Sequence, residues 1–356
     1  MQRSSSPFCC FLPPHVVDRL AESNDPALRR VALHTAEAAA AARDRRMMFA
    51  NMPGMAAIPS ATGTRDRLVY SANNASQPLP GTLVRSEAQP ASGDAAVDEA
   101  FDYAGTTYDY WKTEHNRNSL NGQGMTLISS VHYGDEVANA FWNGEQMLYG
   151  DGDGTLFGRF TKSIDVVGHE LTHGVVQFTA NLEYYGEPGA LNEHFADVFG
   201  ILVRFAKTGG DPADPDNWFI GGEILLPSVG AKGIRTFTAD KAYENNQHLG
   251  DDPQPKHYAS KYTGPRDFGG VHINSGIPNH AFYRVVQALG PTGLQKAGAI
   301  WYETLKSLTQ YSEFQEAAEK SLQAAGTRFG ATGVEAKAVA DAWAAVGINA
   351  RSGVIA

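Results

Sequence analysis

At 356 residues the chain is long enough for one large domain, or for two lobes sharing a cleft, and its 42% hydrophobic and 19% charged content is that of a globular protein. No run approaches the roughly eighteen apolar residues of a membrane span, and a net charge of −10 with no lysine-rich tract argues against nucleic acid as a partner. The only two cysteines are neighbours, Cys9 and Cys10, so a disulfide framework is excluded.

The N-terminal MQRSSSPFCCFLPPHVV has one early arginine, but its apolar stretch is short and broken by two prolines. It does not read as a Sec signal peptide, and with the absence of disulfides this suggests cytoplasmic synthesis, with another export route open. An extended Pro-Pro element then runs into a short amphipathic turn. Asn24 or Asp25 can cap a helix with Pro26 at its first position, and ALRRVALHTAEAAAAARDRRMM is a good helix former. NMPGMAAIPSATGT breaks every periodicity and reads as a linker open to proteolysis. Residues 1–60 therefore form a prefix. It carries seven arginines against five acids, a surplus of +2 that leaves −12 on the remainder. A cationic leader can dock on an acidic body, although charge facing solvent is the commoner arrangement.

From about 65 to 160, short β-type runs alternate with turns: DRLVYSANN, GTLVRSE, MTLISSVHYG and NAFWNGEQMLYGDGDG. A helix over about 94–116 interrupts them. The DGDG at 151–154 hints at cation binding, but an acidic tight turn is the commoner meaning. Beyond about 163 the pattern is helical over 164–180, 190–207, 275–289, 293–309, 311–325 and 333–345. Strands first and helices after predict the α+β class.

Within the first of these helices lies DVVGHELTHGV, at 165–175. Helical positions four apart are about 40° out of register and one turn apart, so His169 and His173 project side by side and can hold one cation. Zinc suits two imidazoles, and a catalytic zinc takes three protein ligands plus water. Glu170 points roughly 100° round the helix, beside the metal rather than on it, where a general base for metal-bound water belongs. With 11 histidines present, the HExxH spacing arises by chance in roughly a few per cent of chains of this composition. The flanking DVV and GVV are apolar, however, and a buried pair of imidazoles with a glutamate needs partners. Twenty residues beyond His173, the helical pattern GALNEHFADVFGILVRF presents Glu193 and, one turn later on the same face, Asp197. Glu193 can complete a His2Glu set, and Asp197 can accept the free ring N–H of a ligand histidine. For Asp197 alone a solvated helix acid is the alternative. His194 faces away and reads as structural.

HELTH followed by GALNEHFAD, and later DFGGVHINSGIPNHAFY, resembles the thermolysin family of zinc endopeptidases. The resemblance extends to YDYWKTEHNRNS, SSVHYG and NAFWNGEQMLYGDGDG, and so to nearly all of 66–350. The prefix with PPHVVDRLA looks like the protealysin-type branch, whose precursors carry a brief Pro-Pro prosegment. The fold so implied is a two-lobed zincin, with a prosegment over 1–60, a β-rich N-terminal lobe over 61–180 that includes the HExxH helix, and a mainly α-helical lobe over 181–356.

The same resemblance implies one zinc ion on His169, His173 and Glu193, with Glu170 as base and Asp197 behind a ligand histidine. It implies His272 and Tyr184 as donors to the oxyanion, with Asp267 orienting His272. Asn139 and Arg235 match residues that grip the substrate backbone, and the main chain of Ala140 and side chain of Trp142 border the same groove. Phe157, Phe160, Val166, Ile224 and Ile234 match the pocket for the residue after the cut, which predicts Leu, Phe, Ile or Val there. Peptide hydrolysis develops negative charge on the carbonyl oxygen, so donors at that point have a physical reason.

At the family's calcium sites the sequence departs: Asp165 is kept, but Arg204, Asn217, Phe219, Gly222 and Lys232 stand where ligands are needed, and calcium takes six to eight oxygens. Calcium is therefore not expected, and Arg204 is expected to pair with Asp165. The prosegment is expected to inhibit and then be removed by self-cleavage before Met48, Phe49, Met52 or Met55 in the linker. Cys9 or Cys10 is a candidate zinc ligand in the precursor, against the alternative of incidental thiols. Peptide and protein substrates, the protein's own prosegment in cis and a monomeric state are the partners expected. An exopeptidase and a non-catalytic binding or inhibitory protein are the competing readings. The NAFWN groove opposes the first and the intact Glu170, His169, His173, Glu193 and His272 oppose the second.

Overall fold

The computed structural model describes residues 10–50 and 63–350. The N-terminal lobe is a five-stranded sheet of β1 (Arg67–Ser71), β2 (Thr82–Ser86), β3 (Leu127–Val131), β4 (Ala140–Trp142) and β5 (Met147–Tyr149) in the order β2-β1-β3-β5-β4. The β1–β3 and β3–β5 pairs are parallel and the two outer pairs antiparallel, so β4 is an edge. The helix α1 (Pro14–Ala21) and the longer α2 (Pro26–Ala50) precede the sheet, and α3 (Ala95–His115) packs on it. The carboxylate of Asp94 caps α3 by accepting from the amides of Ala96 and Val97 at 2.8 and 3.2 Å.

The HExxH segment is α4 (Ile164–Gln177), and every one of its residues is buried. On one side it meets β4 and α3, on the other the helical lobe. That lobe is built from α5 (Gly186–Thr208), α6 (Asp267–Asn274), α7 (Gly276–Leu289), α8 (Gly293–Ser307), α9 (Phe314–Phe329) and α10 (Val334–Ala345), with a two-stranded ribbon of β6 (Phe219–Ile220) and β7 (Arg235–Thr236). Helices α4 and α5 make the most extensive helix–helix contact, and two glycines allow it: a Cβ on Gly200 would stand 2.6 Å from the Asp165 carbonyl oxygen and 3.0 Å from the His169 amide nitrogen. Gly168 faces Gly200 across the same contact. Among the described residues no helix is long and apolar enough to cross a membrane.

The described part of the prefix is no detached arm. Phe11, Leu12, Val16, Leu20, Leu28, Val31 and Ala32 enter the main hydrophobic core, because one face of α1 and α2 is apolar and the body offers an apolar seat. Charge pairs sit at the rim: Arg30 holds Glu136 with two bonds of 2.6 and 2.8 Å, and Arg45 reaches Glu145 at 3.2 Å. Helix α2 runs on through Ala50, so Met48 and Phe49 belong to its last turn and not to an irregular linker. Met52 and Met55 lie outside the described residues, as does Cys9.

The DGDG stretch is a turn. Asp153 accepts from the amides of Thr155, Leu156 and Phe157, and Asp151 pairs with His132 at 2.7 Å.

Candidate active site

The imidazoles of His169 and His173, one turn apart on α4, face each other with 3.0 Å between their Nε2 atoms. Their Nδ1 atoms are engaged elsewhere: that of His169 with Asp197 Oδ1 and that of His173 with Asn192 Oδ1, both at 2.9 Å. The Asn192 amide group donates to the Leu182 carbonyl, so its oxygen is the end turned to His173. Both acceptors fix the Nδ1–H tautomers and leave two Nε2 lone pairs converging. Glu193 closes the third side, 3.5 Å from His169 Nε2 and 3.4 Å from His173 Nε2. The ligand atoms of the three residues lie within 4.8 Å of one another and all three residues are buried. Among the described residues, Glu193 Oε2 and both carboxylate oxygens of Glu170 are buried without hydrogen-bond partners. Converging lone pairs beside a buried carboxylate oxygen fit a divalent cation, and the N2O donor set suits zinc.

The electrostatics follow from burial. Glu170 has its carboxyl pushed well above the ordinary range, by desolvation first and the charge of Glu193 next. His173 is held well below the usual imidazole value by burial, with His169 adding to it. Asp197 stays ionised against burial because Arg235 and His169 stabilise its charge. Arg235 grips it twice, at 3.1 and 2.9 Å, and Asn279 donates to it at 2.9 Å.

Tyr184 and His272 face the same centre. The Tyr184 hydroxyl donates to Glu193 and lies 3.2 Å from His272 Nε2. Asp267 accepts twice from His272, from its ring Nδ1 at 2.6 Å and its amide at 2.8 Å, and once from the Ile273 amide at 3.0 Å. Burial opposes charge on His272, but Glu193 and Asp267 overcome it and raise the imidazole well above its ordinary value. Four residues with positive φ, Asp267, Phe268, Gly269 and Gly270, kink α6 to make this loop, and Gly269 and Gly270 supply the two most positive φ values.

The cleft is filled by the leader. Residues 10–12 lie antiparallel to β4, with Cys10 bridging Phe141 and the Phe11 amide donating to the Ala140 carbonyl at 3.2 Å. Arg235 Nη1 donates to the Phe11 carbonyl at 2.8 Å. Asn139 accepts from the Leu12 amide at 2.7 Å and donates to its carbonyl at 3.3 Å. The Phe11 ring is wholly buried, edge-on to Phe160 at 6.4 Å and to His169 at 5.4 Å, with the Arg235 guanidinium 4.7 Å from its centre. Gly221 borders the tip of the ring, where an added Cβ would stand 2.6 Å from Phe11 and 3.3 Å from Ile234, and Phe157, Val166 and Ile224 belong to the same core. Trp142 turns instead onto α4, where its indole N–H donates to Gln177 at 2.8 Å. From α2, the buried Arg46 lies over the Tyr184 ring at 5.7 Å, with Nη1 unpartnered among the described residues.

Cys10 presents its carbonyl to the centre more closely than its thiol. The carbonyl accepts from His272 Nε2 at 2.8 Å, whereas Sγ is 3.8 Å from that nitrogen and donates to the Leu12 carbonyl. Burial pushes the thiol up to about 11, and Sγ is not among the converging ligand atoms. His194 is structural: it bonds Asn279 and accepts from the Trp301 indole on the far side of α5. Asn192, Asn279, Gly221 and the leader tripeptide are the contributors that spacing alone did not reveal.

Behind the centre, Arg204 holds Asp165 at 2.6 Å, and its guanidinium also donates to the carbonyls of Phe219 and Asn217. Lys232 pairs with Asp216 at 2.7 Å.

Comparison with known proteins agrees with this geometry. The thermolysin metallopeptidase catalytic-domain family matches residues 59–177 and the thermolysin metallopeptidase alpha-helical-domain family residues 180–348. An extracellular metalloprotease of Pectobacterium carotovorum subsp. carotovorum is 40% identical over 98% of both chains. A thermolysin of Alicyclobacillus acidocaldarius subsp. acidocaldarius is 44% identical over 72% of this chain and 46% of its own. Among solved structures, the precursor of protealysin, a metalloproteinase from Serratia proteamaculans, superposes with a TM-score of 0.85 at 42% identity, covering 96% of this chain and 99% of that one. The chain belongs to the thermolysin family of metallopeptidases and is a zinc-dependent metalloendopeptidase of two lobes, one β-rich and one helical.

Proposed function

We propose that His169, His173 and Glu193 hold the zinc ion, that Glu170 is the general base, and that the enzyme cuts on the amino side of bulky hydrophobic residues. The observation that carries this reading is the convergence of two imidazole lone pairs and a Glu193 carboxylate beside a buried Glu170 that has no hydrogen-bond partner among the described residues. Bound there, zinc supplies a Lewis acid that polarises a carbonyl and acidifies water. Glu170, its carboxyl already raised, takes a proton from the attacking water and passes it to the leaving nitrogen. His272, held cationic by Asp267, and Tyr184 donate to the oxygen on which charge develops. Asp197 and Asn192 keep the ligand imidazoles in one tautomer. Ala140, Asn139 and Arg235 bind the substrate main chain, Phe157, Phe160, Val166, Ile224 and Ile234 receive the side chain after the cut, and Trp142 backs the groove.

Residues 1–60 act as an inhibitory prosegment in cis, 61–180 as the β-rich catalytic lobe and 181–356 as the helical lobe; the seating of Cys10 to Leu12 across the groove supports the inhibitory role. Arg204 supplies positive charge at Asp165 where relatives with ligands there would bind calcium, so calcium has no structural part in this reading. The deciding experiment compares casein or labelled-peptide cleavage by wild type and Glu170→Gln, with a chelator control. The variant should lose about 10²- to 10⁴-fold in rate, the usual weight of a general base. Activity surviving both substitution and chelation would overturn the mechanism.

A further inference from the structure

The leader crosses the cleft as a substrate would, and two separate features set the same register. The Phe11 side chain fills the apolar pocket proposed for the residue after the cut, its amide and carbonyl are held by Ala140 and Arg235, and both peptide groups of Leu12 are held by Asn139. This makes the bond on the amino side of Phe11 the target. Independently, the carbonyl oxygen that lies on the proposed oxyanion donor is that of Cys10, 2.8 Å from His272 Nε2, with the Tyr184 hydroxyl beside it. Pocket and donor therefore select one bond.

We propose that the Cys10–Phe11 peptide bond is a self-cleavage site of the precursor, cut in cis; this rests on the endopeptidase reading above. Water is the co-reactant. Its oxygen adds to the Cys10 carbonyl carbon while Glu170 takes its proton. The C–N bond then breaks, the electron pair leaves with the Phe11 nitrogen, and Glu170 returns the proton to it. The products are a carboxylate at Cys10 and an amino terminus at Phe11, with nothing oxidised or reduced. Only residues 1–10 are severed. Residues from Phe11 onward stay seated, because Leu12, Val16, Leu20, Leu28 and Val31 remain in the core. The chain leaves the groove at once, since α1 begins at Pro14. The cut is thus separate from removal of the whole prosegment, and the precursor passes through a nicked form that is still blocked on the side of Phe11.

The full-length chain, prepared under chelation, is incubated with zinc at two concentrations tenfold apart and followed by intact mass and N-terminal sequencing. A fragment beginning at Phe11 should form with a rate unchanged by dilution, and Glu170→Gln should form none. Phe11→Leu should keep the cut and Phe11→Asp should slow it at least tenfold, while cleavage in the 48–55 region continues. A leader released whole, still joined across 10–11, from an enzyme that digests casein would overturn this inference and leave the endopeptidase reading standing. A chain that cuts neither itself nor casein would overturn both.

Discussion

Asn192 sets the tautomer of a proposed zinc ligand with a neutral amide where His169 has the carboxylate of Asp197. Replacing such a partner costs a metal site about 10- to 100-fold in affinity. Asn192→Ala should therefore weaken zinc binding by that factor in a chelator competition, with the melting temperature of the metal-free protein moving far less than for a ligand substitution. The two partners were unequally visible. Asp197 follows Glu193 by one helical turn, so the periodicity of α5 places it on the ligand face. Asn192 precedes Glu193 by one residue, and no spacing rule joins it to His173. Their meeting depends on how α4 crosses α5, which is a tertiary fact. Arg235 is a similar case: it donates to the Phe11 carbonyl, while its two bonds to Asp197 tie the groove to the proposed metal site and leave no trace in the linear pattern.

Between elements, His132 bridges the cap of α3 to the turn after β5, 3.0 Å from Asp94 and 2.7 Å from Asp151. Its hydrogen bond to the Asp151 carboxylate, with the charge of Asp151 and a weaker bond to Asp94, raises its pKa to about 9 although burial opposes this. An unfolded histidine titrates near 6.5. The stabilisation is therefore complete below about pH 6.5 and disappears as pH rises through about 9. His132→Asn, which tolerates the positive φ of this position, should lower the melting temperature at pH 6 and leave it nearly unchanged at pH 10. Gly200→Ala tests the other junction. A methyl group there presses on the His169 amide, so it should force α4 from α5 and lower zinc affinity, with a stability loss of about 1–3 kcal/mol by overpacking. The helical order was legible from periodicity, and ends were less so. Helix α5 starts at Gly186 and not near 190, because Pro188 falls in the first turn, where a missing N–H goes unneeded. The kinked α6 escaped notice because left-handed backbone at Asp267 and Phe268 has no periodic signature.

For the molecule as a whole, apolar burial holds the leader, since the Arg30–Glu136 pair is in contact with solvent and such pairs are worth roughly 0–1 kcal/mol. Moderate salt should leave processing kinetics of the precursor almost unchanged, whereas Leu20→Ala should speed loss of the leader; gel analysis of a time course distinguishes the two. Arg204 binds the ribbon segment around 217–219 to α4 through Asp165, which is fully buried. Arg204→Met strands that carboxylate and should cost about 3 kcal/mol. Calcium added to wild type should leave its melting temperature unmoved. The resemblance carried by the motif order implied the two lobes, and the break in pattern after about 50 marked the short prefix, but nothing showed where the prefix would lie, because FLPP is an extended element whose seat is set entirely by the groove it meets. That seat is a β edge. The leader answers β4 mainly with main-chain amides and carbonyls, as any extended segment can, and those groups in a helix or a tight turn are already engaged with one another. Once the edge is vacated, entry is open to unfolded stretches and closed to compact ones whatever their sequence. Digestion of a stable protein should then proceed no faster than its local opening allows, which makes this protease a reader of foldedness before it is a reader of residues.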